Sequence, residues 1–153
     1  MELRFKVFEH AAALIGRTPW DVSRDAELLF QAHAAAYRLY RQQPLITAID
    51  HYNLAPEACG GVVARPDGHG VPAIPQPALP EAAALARLRP FDPRRAGRWP
   101  MIFNVAERLK REFPDAEVAV PVDGPFSIAS ALVGFDQLLC DVAENPDAVR
   151  DAL

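Results

Sequence analysis

Apolar side chains recur every three or four residues in several stretches of this chain, which is the spacing of one helix face. The pattern predicts helices over 3–15, 24–41, 55–59, 81–88, 99–112 and 127–140, and a last helix from 148 to 153. The sixth helix is expected to be interrupted near Gly134, because glycine weakens a helix interior. Ser23 and Asn145 are the expected N-caps of the second and last helices.

The second predicted helix has an apolar face that should pack inward. The residues expected on that face are Leu28, Ala32, Ala35 and Leu39. In the helix over 99–112, the inward residues are expected to be Ile102, Val105, Ala106 and Leu109. The first helix should bury a stripe made by Phe5, Phe8, Ala12 and Ile15.

Two short runs rich in β-branched residues read as buried strands. They are LITAI (45–49) and EVAVPV (117–122), and a third, shorter strand is expected at 62–64. A continuous apolar run of this length suits a strand that is covered on both faces, as in a parallel sheet. Strands that alternate with helices favour right-handed βαβ units. The pattern therefore predicts one α/β domain over 1–153.

Residues 65–80 are predicted to form a long loop. They contain five of the chain's 15 prolines together with Gly68 and Gly70. A loop of this length inside a domain is usually functional or mobile. We expect 65–80 to be a mobile loop.

Composition and charge narrow the range of functions. The chain has 153 residues, of which 50% are hydrophobic and 24% charged, and its net charge is −4. This balance is that of a folded domain, without a basic field for nucleic acid or an anionic membrane surface. No apolar run has the length of a membrane span, and the N-terminus lacks a signal segment. We therefore expect a cytoplasmic protein that binds neither nucleic acid nor membranes.

The spacing of the two cysteines and the lack of glycine-rich motifs argue against disulfide, metal and nucleotide sites. Cys59 and Cys140 lie far apart without metal-ligand spacing, so neither a disulfide framework nor a complete metal site is expected. Glycine-rich nucleotide-binding motifs are absent from the sequence. His69 is expected to be solvated, and His10 and His33 to lie on a helix surface or in helix packing.

Candidate chemistry follows the two best strands. Asp50 comes directly after LITAI, and Asp123 comes directly after EVAVPV. In parallel α/β folds ligands bind at the carboxyl ends of the strands, so either carboxylate could orient a cationic or N–H-bearing substrate or transfer a proton. The alternative is that both residues only cap turns. His51 and Tyr52 follow Asp50, and His51 is either a proton carrier or a hydrogen-bonding loop residue.

Two segments resemble the uroporphyrinogen decarboxylase superfamily. GPFSIASALVGFDQLLCDVAENPDAV (124–149) is similar to the family's Gly-Pro-(Phe/Trp)-Thr-Leu-Ala-Ser stretch, its Gly-Phe-Glu element and its helix near Asn/Asp-Pro-Glu. LITAIDHYNLAPEACGGVV (45–63) is similar to the family's strand that ends in an aspartate and enters a helix closing with Glu-Ala-x-Gly. The order and separation of the two segments also match the family.

The resemblance implies a fold and a site. The fold would be the N-terminal half of a (β/α)₈ barrel with extra N-terminal helices. Asp50 would correspond to the aspartate that binds pyrrole N–H groups in the decarboxylases, and it is the expected catalytic residue. The expected substrate-binding wall consists of His51, Tyr52, Gly124, Pro125 and Phe126.

The family contains two reaction types, and this sequence is closer to one of them. The decarboxylases carry an Arg-Gln-Ala-Gly-Arg motif and a tyrosine after Gly-Pro-(Phe/Trp); here Arg17 and Arg24 stand in a different pattern, and Ala131 replaces the tyrosine. The resemblance therefore favours methyl transfer between a corrinoid and a thiol, with tetrapyrrole decarboxylation as the alternative. The zinc ligands of such methyltransferases belong to the C-terminal half, so no cofactor is expected in this chain, and zinc would be bound if that half were supplied.

A closed barrel needs about 250 residues, and this chain is expected to supply three or four strands. The last helix reaches Leu153 without a polar tail, so we expect a missing C-terminal half-barrel or self-association. Three possibilities are a fragment, one half of a split barrel, and a stand-alone domain. A non-catalytic interaction module, which binds partners through open sheet edges and the proline-rich loop, is the rival from another functional class. Whether the chain alone is an enzyme stays open at this point.

Overall fold

The computed structural model describes residues 6–153. The first part contains α1 (His10–Leu14), α2 (Pro19–Val22), α3 (Ala26–Tyr40), β1 (Leu45–Ile46) and α4 (Leu54–Ala58). The second part contains α5 (Trp99–Glu112), β2 (Val118–Ala119), α6 (Pro125–Val133), α7 (Phe135–Glu144) and α8 (Pro146–Ala152). Two 3₁₀ helices complete the set, at His51–Asn53 and Ala82–Arg87.

The helix α3 begins later than predicted, and its buried face is only partly the predicted one. Its N-cap is Asp25, whose carboxylate accepts the N–H groups of Glu27 and Leu28. Ser23 was expected to cap it, but the Ser23 hydroxyl donates to the carbonyl of Trp20. Of the predicted inward face, Ala32 is fully buried and Leu28 and Ala35 are partly buried, but Leu39 is 62% exposed. The helix also buries Leu29, His33 and Tyr37.

The helix α1 is shorter than the predicted helix over 3–15. Residues 3–5, with Phe5, lie outside the described residues. From residue 6, regular helix covers only His10–Leu14, and Ala12 is fully buried while Phe8 and Ile15 are half-buried. The chain then turns at Gly16, where φ is +65°. The short α2 follows, with Thr18 as its cap.

The sheet is parallel, as predicted, and it has two strands in the described chain. Leu45 pairs with Val118, and Ile46 pairs with Ala119. The N–H of Leu45 donates to the carbonyl of Glu117 at 2.8 Å. The paired part of each strand is shorter than the predicted runs, and the expectation of three or four strands is wrong for residues 6–153.

The predicted strand over 62–64 is wrong. Ala64 makes only an isolated antiparallel bridge with Ala73, which ties the start of the proline-rich segment to its middle. Prolines lack the N–H that a continued ladder requires. The rest of 65–80 contains no helix or strand, as expected. Residues 82–87 are a 3₁₀ helix in place of the predicted α-helix, and the N–H of Ala82 donates to Asp141 Oδ2 at 2.6 Å.

The last three helices follow the predicted pattern. Gly134 separates α6 from α7 with φ +89°, and a Cβ there would lie 3.0 Å from Pro77 Cγ. Glycine is therefore required by both the backbone conformation and the close approach of the loop. Asn145 caps α8 by accepting the N–H of Ala148.

No single helix in residues 6–153 is long and apolar enough to cross a bilayer. Taken together, α6 and α7 would pass by length and composition, but they are bent by 110° relative to each other.

Apolar side chains form two clusters. The larger one, which we call the N-terminal core, joins α1, α3, β1, α4 and α5 and includes the fully buried Leu29, Leu45, Ile102 and Leu109. The smaller one, which we call the C-terminal cluster, joins the 3₁₀ helix Ala82–Arg87 to α6, α7 and α8 around Leu132, Val133 and Leu138. Ile128 packs against both clusters.

Candidate functional site

Asp50 lies at the carboxyl end of β1, at a sharp turn of the backbone. Its φ is +60°, a left-handed conformation that aspartate adopts more readily than most residues. The turn leads directly into the 3₁₀ helix His51–Asn53. The Asp50 side chain has no exposed surface.

The buried carboxylate of Asp50 is held by three side chains. Arg98 Nη2 donates to Oδ2 at 3.0 Å, and Arg24 Nη1 lies 3.8 Å from the same oxygen. Asn53 donates its amide to Oδ1. The Asn53 amide also donates to the carbonyl of Pro72 at 2.9 Å, which attaches the proline-rich segment to the site.

Glu57 shares both arginines with Asp50. Arg98 Nε donates to Glu57 Oε2 at 2.5 Å, and Arg24 Nη2 lies 3.4 Å from Oε1. The Arg24 guanidinium also stacks on the Trp20 ring, 3.6 Å from its centroid. Burial and the neighbouring Arg98 lower the pKa of Arg24. Two guanidinium groups thus face two carboxylates, and their formal charges cancel.

The surroundings of Asp50 set its protonation. Burial raises the pKa of Asp50 to about 6, from an ordinary value of 3.8. Arg98, Asn53 and Arg24 act in the opposite direction, because each favours the ionised form. Asp50 therefore titrates closer to neutrality than an exposed aspartate does.

His51 and Asp123 meet at the carboxyl ends of the two strands. His51 Nε2 lies 3.9 Å from Asp123 Oδ1, and the two side chains are 23% and 14% exposed. The His51 ring stacks on Phe8, with centroids 4.6 Å apart, and it meets Tyr52 edge-on. Burial raises the pKa of Asp123, while His51 acts to lower it. This pair places a nitrogen base near a carboxylate in a partly open position, which makes both candidates for acid–base chemistry.

Tyr52 points toward the N-terminal segment. Its hydroxyl donates to Glu9 Oε1 at 3.3 Å. Burial and the nearby carboxylates of Glu9 and Asp50 raise the pKa of this phenol. Tyr52 therefore stays neutral and acts as a hydrogen-bond donor.

The Gly124-Pro125-Phe126 turn begins α6 beside Asp123. Pro125 takes a first-turn position of the helix, where a proline costs no hydrogen bond. Phe126 is 43% exposed. Asp123 and Pro125 line a cleft of about 440 Å³, which also borders Cys59, Leu88 and Phe91.

The structure brings some of the sequence-predicted site residues together and adds others. Asp50, His51 and Tyr52 share one turn, and Asp123 and Gly124–Phe126 lie across from them at the end of β2. Sequence reasoning missed Arg98, Asn53 and Glu57. Asn53 and Glu57 follow Asp50 by three and seven residues, which is one face of the short helical segment and a usable signal. Nothing in the sequence pairs Arg98 with Asp50 across 48 positions.

The site was also tested for zinc, which the resemblance implies for the complete barrel. A protein zinc site uses at least three His, Cys, Asp or Glu ligands. Residues 6–153 bring no such group of three together. The described residues therefore do not supply a complete set of zinc ligands by themselves.

Comparisons with known proteins bear on the family and the fold of the chain. The family model for uroporphyrinogen decarboxylase (URO-D) matches residues 6–153. A solved methyltransferase from Methanosarcina mazei has a similar structure, with a TM-score of 0.78 and 18% sequence identity. The alignment covers 97% of this chain and 44% of that chain, so this chain spans less than half its length. A search of curated proteins finds no match. The resemblance in the sequence is confirmed, and the chain belongs to the uroporphyrinogen decarboxylase family.

Proposed function

We propose that this chain forms the N-terminal part of a (β/α)₈-barrel enzyme of the methyltransferase type. The site of that enzyme would lie at the carboxyl ends of β1 and β2, where active sites of parallel barrels occur. The observation that carries the proposal is the meeting of His51 and Asp123 from the ends of two neighbouring parallel strands. Asp50 lies beneath them as the buried anchor of the site.

Open surfaces support completion by further polypeptide. Each strand of the two-stranded sheet has one unpaired edge within the described residues. Phe135, Leu139 and Val142 lie four and three residues apart on α7, and each is at least one-third exposed. A stripe at this spacing is normally covered by another element. We propose that the missing strands and helices of the barrel cover it, in keeping with the 44% share of the solved methyltransferase that this chain spans.

Charge pairing favours methyl transfer over decarboxylation of a polycarboxylate. A substrate with many carboxylates needs several unpaired cations. The two arginines nearest to Asp50 are instead engaged by Asp50 and Glu57. Their charges are thus cancelled before a substrate enters.

His51 and Asp123 can serve the thiol acceptor of such a reaction. A thiol transfers its proton to the acceptor base, and the resulting thiolate attacks the methyl group, which leaves its donor. His51 Nε2 would take that proton, and Asp123 would stabilise the imidazolium. Asp50 would keep Arg98 and Arg24 in place, as a positioning residue below the pair.

The experiment is an activity assay on the native assembly. The tagged chain is purified from its source organism together with whatever completes it, and its mass is measured by light scattering. Methyl transfer from methylcobalamin to a thiol is followed through the corrinoid absorbance, in parallel with uroporphyrinogen decarboxylation. We expect an assembly larger than the 16.8 kDa chain that transfers methyl groups.

Matched variants connect the activity to the site. We expect His51→Gln and Asp123→Asn to lower kcat by about 10²-fold or more, the usual contribution of a general base. His69→Gln, in the exposed loop, is the control and should leave kcat unchanged. A complete assembly that decarboxylates uroporphyrinogen, or that does neither reaction, would refute the proposal. A stable, well-folded monomer without affinity for porphyrins, zinc or corrinoids would favour the interaction module.

A further inference from the structure

Two consecutive residues before α1 contact two consecutive residues of the turn that follows β1. The Phe8 ring stacks on the His51 ring, with centroids 4.6 Å apart and planes inclined by 21°. Next to it, the Tyr52 hydroxyl donates to Glu9 Oε1 at 3.3 Å. The segment that carries Phe8 is itself held in place, because Val7 is buried in the N-terminal core. The position of the His51 ring is therefore tied to a fixed part of the chain.

The ring nitrogens of His51 give this contact its importance. A histidine that acts as a base is usually oriented by a hydrogen bond at the nitrogen that does not react. His51 Nδ1 is buried and has no hydrogen-bond partner within residues 6–153. His51 Nε2 lies 3.9 Å from Asp123 Oδ1, which is beyond hydrogen-bonding distance. Among the described residues, no hydrogen bond therefore fixes the plane of this ring.

Aromatic contacts supply the orientation instead. Phe8 lies against one face of the His51 ring, and Tyr52 meets that ring edge-on with planes at 71°. Aromatic pairs prefer defined stacked and edge-on arrangements. Together the two contacts hold the ring in the plane in which Nε2 lies toward Asp123.

We propose that Phe8 is a positioning residue, which acts through His51. This inference rests on the proposed function, in which His51 Nε2 takes the proton of a thiol. That transfer requires Nε2 at hydrogen-bonding distance from the thiol and in a defined direction. A ring that leaves its plane directs Nε2 away from Asp123 and from the substrate. Stacking on Phe8 opposes this movement and raises the fraction of molecules in which the base is aligned.

Kinetics of the native assembly separate positioning from packing. We expect Phe8→Leu to lower kcat for methyl transfer about tenfold and to leave KM unchanged, because only the alignment of the base is lost. Phe8→Tyr keeps the ring and should retain most of the activity. Phe30→Leu is the matched control and should leave kcat unchanged. Phe30 is also half-buried against the N-terminal core, but its ring contacts Arg108.

Proton NMR of the chain measures the ring contact without any reaction. Protons that lie over an aromatic ring resonate upfield, and His51→Gln identifies the His51 signals among those of the four histidines. We expect Phe8→Leu to remove the upfield shift of the His51 ring protons and Phe8→Tyr to keep it. Phe30→Leu should not change these signals.

Phe8→Leu and His51→Gln together distinguish this inference from the proposed function. If Phe8→Leu leaves the His51 signals or kcat unchanged while His51→Gln lowers kcat, the positioning role is wrong and the proposed function stands. If Phe8→Leu and Phe30→Leu lower kcat equally, Phe8 only packs, and the inference is again wrong. If His51→Gln itself leaves kcat unchanged, His51 is not the base and both proposals are wrong.

Discussion

The N-terminal core and the C-terminal cluster differ in how completely they bury their large apolar side chains. The N-terminal core surrounds β1 with α1, α3 and α5, and its large apolar residues, such as Leu29 and Ile102, are fully buried. The C-terminal cluster buries Leu132 and Leu138 but leaves Phe126, Phe135 and Leu139 substantially exposed. The comparison teaches that one part of the chain closes its own core, while the other presents an apolar surface for something else to cover.

The largest expected effect is the loss of stability when a buried aliphatic side chain is truncated in either cluster. Ile102→Ala should lower the free energy of unfolding by about 2–5 kcal/mol, the usual cost of a buried aliphatic truncation. Leu138→Ala removes the same kind of side chain from the C-terminal cluster, but we expect it to act locally. Hydrogen exchange should show lost protection in α3 and α5 for the first variant, and only in α6–α8 for the second.

That prediction has a clear contrary outcome. Loss of protection in α3 after Leu138→Ala would mean that both clusters unfold as one unit. The distinction between a closed and an open region would then be removed.

The next largest effect is the pH dependence of stability that arises from two buried groups, His33 and Asp50. Burial lowers the pKa of His33 from 6.5 to about 4, and both of its ring nitrogens lack hydrogen-bond partners. A depressed histidine pKa contributes stability above pH 6.5 that is lost as the pH falls through 4. The raised pKa of Asp50 has the opposite sign, since its contribution is complete below pH 3.8 and is lost as the pH rises through 6.

Single variants should expose the two opposed slopes. Relative to wild type, His33→Leu should gain about 2–3 kcal/mol on going from pH 7.5 to 4.5, and Asp50→Asn should lose a similar amount. Urea unfolding at both pH values measures these differences, and the double variant should restore a flat profile. Identical pH profiles for wild type and Asp50→Asn would show that Asp50 titrates as it does in the unfolded chain.

The smallest effect on stability is expected on the α7 surface. Leu139→Ser should change the free energy of unfolding by only about 0.5 kcal/mol or less, because the side chain is 45% exposed. It should nevertheless weaken the native assembly, measured by the amount of partner that copurifies. Leu39→Ser on α3, where the side chain is 62% exposed beside the N-terminal core, should leave copurification unchanged.

The features that could be predicted from the sequence are those that depend on local patterns of residues. The helix over 99–112, the glycine break at Gly134, the Asn145 cap and the parallel pairing of the two apolar runs are all confirmed. Each depends on periodicity, on backbone preference, or on the alternation of strands and helices. The family resemblance at 45–63 and 124–149 extended this information to the position of the site.

Other features depend on contacts that the sequence does not display. The burial of Leu29 and Tyr37 on α3 follows from packing against α1 and α5, which the apolar pattern alone did not show, whereas the position of His33 in helix packing is one of its two expected places. Arg98, directly before α5, bonds to Asp50 from 48 positions further along the chain. The roles of Asp50, His51 and the Gly124–Phe126 turn stay predictions, since their chemistry awaits an assay.

Hydrogen exchange of α6 and α7, in the isolated chain and in the native assembly, tests most directly whether this chain is part of a larger barrel. We predict that amide protection in these helices rises strongly in the assembly, while protection in α3 changes little. Equal protection of α6 and α7 in both states would contradict the account, because the exposed stripe of Phe135, Leu139 and Val142 would then have no polypeptide to cover it.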